Sequence, residues 1–356
     1  MSVGLARRTG SGLRRGGYKV SGVALKGVVC AVPGEPIGND KFAKVFGEKA
    51  VGEIIKMIGV QTRYWAAPNQ TTADLCFVAA ERLLARLEWS ADSIDALIFV
   101  TQTPDHFLPA SACLLHARLG LATDCQAIDV NLGCSGYVYG LWLASSLVQS
   151  GCNRVLLLAG DTISRLIDPT DRGTAVLFGD AGSATAIEAD QTAGSVYFRL
   201  GTDGAGALAL RVPEGGFRSA DPDRPVTLDP RRLHMDGGEV FAFTLRVVPA
   251  LIQNILDDAG LGPGAVDTYL LHQANQFMIK HIGKRIGADA PRLPINIQRY
   301  GNTSSATLPL LLADDMAARL QGTAARLLLA GFGVGLSWGA MLGDIGPLHC
   351  AEVVSA

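Results

Sequence analysis

The chain has 356 residues, of which 48% are hydrophobic and 18% charged. These are ordinary values for a globular protein, and the length fits one large domain or two of usual size. A net charge of −2 gives no electrostatic case for nucleic-acid binding. No apolar run approaches the roughly 18 residues of a membrane span, and no signal-peptide core stands near the start. The seven cysteines, an odd number without CxxC pairing, predict a reduced, cytoplasmic setting and no zinc or other metal site.

The opening "MSVGLARRTGSGLRRGG" is rich in Arg and Gly and lacks acids. Residues 1–17 read as a disordered extension outside the fold, with a transit peptide as the lesser reading. Beyond it, short apolar runs alternate with longer helical patterns. "IDALIFVTQT" predicts a buried strand and "SACLLHARLG" a helix closed by Gly120. "CQAIDVNLG" predicts a strand, "CSGYVYGLWLASSLVQSG" a helix, and "NRVLLLAGD" a strand. This rhythm implies a largely parallel sheet covered on both faces.

The second half repeats it. "AVDTYLLHQA" reads as a strand before the helical "NQFMIKHIGKRIG", and "LPINIQRYGN" as a strand before "SSATLPLLLADDMAARLQG". "ARLLLAGFGVGLSWGAML" reads as closing strands. The halves align Ile98–Val100 with Tyr269–Leu271, Ile128–Val130 with Ile295–Ile297, and Val155–Leu158 with Leu327–Leu329, at spacings of about 30 residues, the size of a βαβ unit. The fold class that follows is α/β, a module used twice, with halves at 18–192 and 193–356. The helix after Cys134 is apolar or small on nearly every face, which predicts burial all round, between two sheets.

Polar residues at strand carboxyl ends are the candidate site, because active sites in α/β sheets gather there. Cys134 lies on the turn before the buried helix. There the positive end of the helix dipole predicts a thiolate of lowered pKa. Its second-half counterpart is Asn302, in "YGNTSSA"; a further strand end carries His272, in "LLHQAN". Alone, each has a plain explanation: an inert buried cysteine, a hydrogen-bonded core histidine, turn chemistry. Together, at matching ends of a duplicated module, they predict a Cys/His/Asn site. Cys30, Cys76, Cys113, Cys125, Cys152 and Cys350 have no such context. Two decoys fail: "GFGVG" at Gly331–Gly335 is followed by a strand pattern where a dinucleotide fingerprint needs a helix, and "GCSGY" is not the G-x-S-x-G elbow.

At these residues the sequence resembles the β-ketoacyl-acyl carrier protein synthase III family, of the thiolase fold. The resemblance runs from about Gly22 to Gly343 and rests on "DVNLGCSGYVYGL", "HQAN", "GNTSSA", "DPTDRGTAVLFGDAGSA", "AGFGVGLSWGA", "AAPNQTT" and "FLPASA". It implies a layered αβαβα molecule. It implies that Cys134 takes an acyl group from a thioester, with an oxyanion hole formed by the backbone N–H groups of Cys134 and Val334. It further implies that His272 and Asn302 bind the malonyl thioester oxygen and stabilise the enolate left by loss of CO₂. No cofactor is required. Implied partners are acyl carrier protein, an acyl-CoA or acyl-carrier donor, and a second copy in a homodimer. Arg172, Asn275, Leu108 and Gly333 stand at substrate-binding positions, and Lys280, Lys284 and Arg285 form a basic helix face for the acidic carrier.

The sequence departs from the family where CoA adenine is gripped. Glu53 and Met57 replace a Trp and an Arg, and Leu108 replaces a Phe that a dimer mate places at the end of the acyl pocket. These changes predict weak use of acetyl-CoA and better use of longer or branched acyl groups. An alternative keeps the acyl-cysteine but passes its acyl group to a hydroxyl, an amine or another non-malonyl acceptor. A scaffold without chemistry is a third reading, and the intact Cys/His/Asn set speaks against it.

Overall fold

The computed structural model describes residues 16–219 and 228–356. The 1–17 extension therefore lies almost wholly outside the described residues, and Gly17 already belongs to the strand Gly17–Val20. Two large sheets form the body. In the first, strands run in the order 350–355, 23–32, 181–189, 154–161, 96–100, 126–130; in the second, 17–20, 196–202, 337–345, 325–333, 268–271.

The duplication is visible in strand pairing. Ala96–Val100 pairs parallel with Arg154–Asp161, which pairs antiparallel with Ala181–Ala189. Thr268–Leu271 likewise pairs parallel with Ala325–Gly333, which pairs antiparallel with Ser337–Ile345. One expected equivalence fails. Ile295–Ile297 is not a strand: Ile297–Tyr300 is a single helical turn, and the second sheet stops at Thr268–Leu271. Asn302 instead makes one parallel bridge to Phe178 of the first half. Local apolar character was satisfied by burial of Ile297 in the lobe built on 42–60 and 163–178, not by sheet pairing.

Alternation along the strands explains the layering, since successive side chains face opposite ways. Ile98, Val100, Val155 and Leu157 face a central core, and Leu97, Phe99, Leu156 and Leu158 an outer one under the helix Thr72–Leu87. In the second sheet Leu270, Leu327 and Leu329 face the same central core. Tyr269, Leu271 and Leu328 face outward, beneath helices Gly237–Ala259 and Gln276–Ile286. The central layer holds the helical segment 304–322 and helix Gly136–Gln149, which is buried at Tyr137, Val138, Leu141 and Ala144 but only part-buried at Tyr139, Trp142, Leu143 and Leu147, so the expected burial all round is met on one side only. A Cβ on Gly136 would lie 2.5 Å from Val100, and one on Gly140 2.6 Å from Leu157. The small residues thus let the helix lie directly on the sheet.

The terminal strands cross between the halves. Gly17–Val20 pairs with Val196–Arg199 in the second sheet, and Cys350–Ser355 pairs with Gly27–Val32 in the first. A division at 192/193 is therefore bridged from both sides. Among the described residues, Gly237–Ala259 is long and apolar enough to cross a membrane by length and composition alone. The sequence reading overlooked it because charged ends and Pro249 break up the run. Its apolar side, with Val248, Leu251, Ile252 and Ile255, is buried against the second sheet.

Candidate active site

Three turns meet where the halves face each other. Cys134 stands two residues before helix Gly136–Gln149, whose N-cap is Ser135. The Val334 N–H, the Ser304 side chain and its own N–H are the polar groups near the sulfur that favour its charged form. Gly331 and Gly333 of the opposite strand make this approach feasible: a Cβ on Gly331 would lie 2.8 Å from the carbonyl oxygen of Cys134. Cys134, Val334, Ser304, Phe178 and Leu108 line a cavity of about 1080 Å³. Leu108 is also 86% exposed and neighbours the exposed Phe107.

Electrostatics at the sulfur run opposite to the helix-dipole expectation. Burial pushes the Cys134 thiol up to about 11, and the nearby charge of Asp161 adds to the rise; the hydrogen bonds from Val334, Ser304 and Cys134 itself oppose it and lose. Burial thus favours the thiol over the thiolate at Cys134. Desolvation wins because Cys134 is enclosed by both halves, whereas the dipole contributes only within about one turn of an otherwise uncharged helix end. Burial also pushes His272 down to about 3, so its imidazole is neutral.

Ser304 joins the three expected residues. It lines the cavity together with Cys134. Its N–H donates to Asn302 Oδ1 at 3.0 Å, which leaves the amide NH₂ as the donor end of Asn302. Thr307 Oγ1 lies 3.1 Å from the Ser304 carbonyl oxygen and 2.7 Å from His272 Nδ1. Ser304 holds this place with φ +52°, a left-handed conformation uncommon for a non-glycine residue. The turn is anchored to the first half by the wholly buried Asp161. Its carboxylate accepts from Gln102 N–H (2.7 Å), Thr101 Oγ1 (3.2 Å), Ser305 N–H (3.2 Å) and Ser305 Oγ (2.8 Å). The sequence reading missed Asp161, Ser304 and Thr307; an acid closing the strand "RVLLLAGD" was the available signal. His272 and Asn302 are buried beside the cavity and do not line its wall.

The remaining expected residues divide. Gly333 faces Cys134 directly. Asn275 does not reach the cavity: its Oδ1 accepts the Met278 N–H at 2.7 Å and caps helix Gln276–Ile286. Arg172 opens the short helix Arg172–Ala175, exposed and away from the cavity wall. Glu53 and Met57 are exposed on helix Glu48–Ile58. Lys280, Lys284 and Arg285 share the exposed side of the helix that follows His272, although Arg285 Nη1 donates to the Leu245 carbonyl. Among the described residues no His/Cys/Asp/Glu group could hold a metal.

The layered duplicated fold, with a cysteine before its central helix and an imidazole and a carboxamide from the other half, defines a thiolase-fold condensing enzyme. Residues 128–204 match the model for 3-oxoacyl-[acyl-carrier-protein (ACP)] synthase III, and 256–345 the model for its C-terminal part. A Desulfitobacterium hafniense β-ketoacyl-[acyl-carrier-protein] synthase III is 36% identical over 81% of this chain and 87% of its own length. One from Gloeobacter violaceus is 36% identical over 92% and 99%. The crystal structure of a 3-oxoacyl-(acyl-carrier protein) synthase from Burkholderia xenovorans superposes with a TM-score of 0.94 at 47% identity, covering 96% of this chain and 99% of that one. The chain belongs to the β-ketoacyl-acyl carrier protein synthase III family.

Proposed function

We propose that the protein joins an acyl group, held on Cys134, to malonyl-acyl carrier protein with loss of CO₂, giving a 3-oxoacyl-acyl carrier protein. In the first half, Sγ attacks the donor thioester carbon. The carbon–sulfur bond to the donor breaks, and the thiol proton of Cys134 ends on the departing thiol. The Val334 and Cys134 N–H groups, both near the sulfur, stabilise the oxyanion of this step. In the second half, the carbon–carboxylate bond of the malonyl group breaks and its electron pair forms an enolate. The Asn302 amide and the His272 imidazole donate to the enolate oxygen. The enolate carbon bonds to the acyl carbon, and the sulfur of Cys134 leaves and regains a proton from solvent.

The carrying observation is the turn 302–307, in which Ser304 lines the cavity with Cys134, its N–H holds the Asn302 amide, and Thr307 contacts the His272 ring. Simple transfer to a hydroxyl or amine needs no enolate site, so the presence of both donors favours condensation. The test is malonyl-acyl carrier protein with an acylated enzyme, following CO₂ and product mass together. Acyl-enzyme that forms and is consumed without CO₂ release would replace this reading with acyl transfer.

The same reading takes the protein to be a cytoplasmic homodimer, and all seven cysteines are free. Support for the dimer is the edge strand Gln126–Val130, which has no neighbour on one side among the described residues and exposes Ile128. An open edge of this kind is a template for a second chain. The Phe107–Leu108 loop sits beside it, because Asp129 accepts the Ser111 and Ala112 N–H groups that follow the loop.

A further inference from the structure

We propose that Thr307 is a positioning residue that keeps the proton of neutral His272 on Nε2, so that the ring meets the thioester oxygen as a hydrogen-bond donor. This inference rests on the condensation reading. A neutral imidazole has one N–H, and the nitrogen that carries it is set by what the other nitrogen is bonded to. Among the described residues, only Nδ1 of His272 has a protein partner, Thr307 Oγ1 at 2.7 Å. Nε2 is left for a ligand, and the ring is fixed in orientation by the edge of Phe332 at 87°.

Everything turns on the single hydroxyl proton of Thr307. It has two acceptors within reach, His272 Nδ1 at 2.7 Å and the Ser304 carbonyl at 3.1 Å. Directed at Ser304, it makes Oγ1 an acceptor, so Nδ1 holds the ring proton and Nε2 is bare. Directed at Nδ1, it leaves the ring proton on Nε2. The Ser304 carbonyl does not depend on the hydroxyl, because it already receives the backbone N–H of Thr307. The shorter contact is also the one to the ring. The hydroxyl therefore donates to Nδ1, and Nε2–H faces the substrate. No proton is gained or lost by the ring in this role.

The experiment uses ¹⁵N-histidine-labelled protein, with the His272 resonances identified by their loss in His272→Gln. The free wild-type enzyme is expected in the Nε2–H form at neutral pH; the Nδ1–H form would overturn the proposal. Thr307→Val keeps the shape and removes the hydroxyl. It should populate the Nδ1–H form and slow malonyl decarboxylation by about tenfold, the scale of one lost hydrogen bond, with a smaller effect on Cys134 acylation. Thr307→Ser should restore both signals. Unchanged decarboxylation in a folded Thr307→Val protein, or failure of Thr307→Ser to rescue, would also overturn it. Wild-type enzyme that releases no CO₂ indicts the condensation reading instead, while the tautomer of the free enzyme is read regardless.

Discussion

Gly333 and Cys134 face each other across the junction of the halves so closely that a Cβ on Gly333 would lie 2.8 Å from both Cβ and Sγ of Cys134. The strand of one half thereby forms the wall behind the nucleophile of the other. Gly333→Ala should consequently displace the thiol or the Val334 N–H beside it. Overpacking of this kind costs roughly 1–3 kcal/mol in stability, but the larger loss should be in acylation. Intact-protein mass spectrometry and a melting curve separate the two: a folded variant with undiminished acyl-enzyme formation would contradict the geometry.

Alkylation should reveal the buried thiol. With Cys134 near 11, its thiolate fraction at pH 7 is on the order of one part in ten thousand. Iodoacetamide at neutral pH should therefore reach the exposed Cys113 first. Raising the pH increases the thiolate, so Cys134 labelling should climb steadily towards pH 11. Peptide mapping at several pH values checks this, and a plateau below pH 8 would restore the helix-dipole thiolate.

Substitution of His272 or Asn302 by Ala should separate the half-reactions. Each should slow malonyl decarboxylation by roughly 10²–10³, the typical effect of removing one donor to developing charge, and leave Cys134 able to accept an acyl group. Single-turnover acylation and CO₂ release, measured on the same preparations, give the comparison.

Lys280 and Lys284 stand on the exposed side of the helix that begins just beyond His272. Charge reversal of both to Glu should raise KM for carrier-bound malonyl substrate and leave kcat with a small thioester intact, since rim charges act mainly on encounter. Equal losses with both substrates would point to misfolding.

Leu108 lies at the cavity with most of its side chain exposed. Leu108→Phe should shift donor preference towards shorter acyl groups, in a competition between acyl-CoA and acyl-carrier donors of graded length. Acetyl-CoA already winning in the wild type, with no shift in the variant, would remove the argument from the departures at Glu53, Met57 and Leu108.

Legibility in the sequence followed how local each feature is. The strands 96–100, 154–161 and 325–333 were readable because burial on both faces makes their apolar runs continuous. The Cys134 helix was readable because its small residues have no other use. Ile295–Ile297 misled, because an apolar triplet near a turn says nothing about whether a sheet has room for another strand. The protonation of Cys134 was also out of reach: a helix end is visible in sequence, but the burial that outweighs it involves Gly331 and Gly333, far along the chain. Ser304 and Thr307 escaped notice for the same reason. Their roles lie in one left-handed backbone angle and one 2.7 Å contact, neither of which has a residue-type signature.

The crossing of the terminal strands has a bearing on how the molecule comes together. Cys350–Ser355 seals the edge of the first sheet and Gly17–Val20 that of the second, so neither half can close its sheet from its own stretch of chain. A nascent first half leaves Val23–Val32 with one side bare until residues 350–355 have emerged. On the condensation reading, nucleophile and enolate donors come from opposite halves, so a polypeptide cut short before that point would carry the cysteine yet lack both a finished sheet and the rest of its chemistry. On that reading, completion of the first sheet and catalytic competence arrive together.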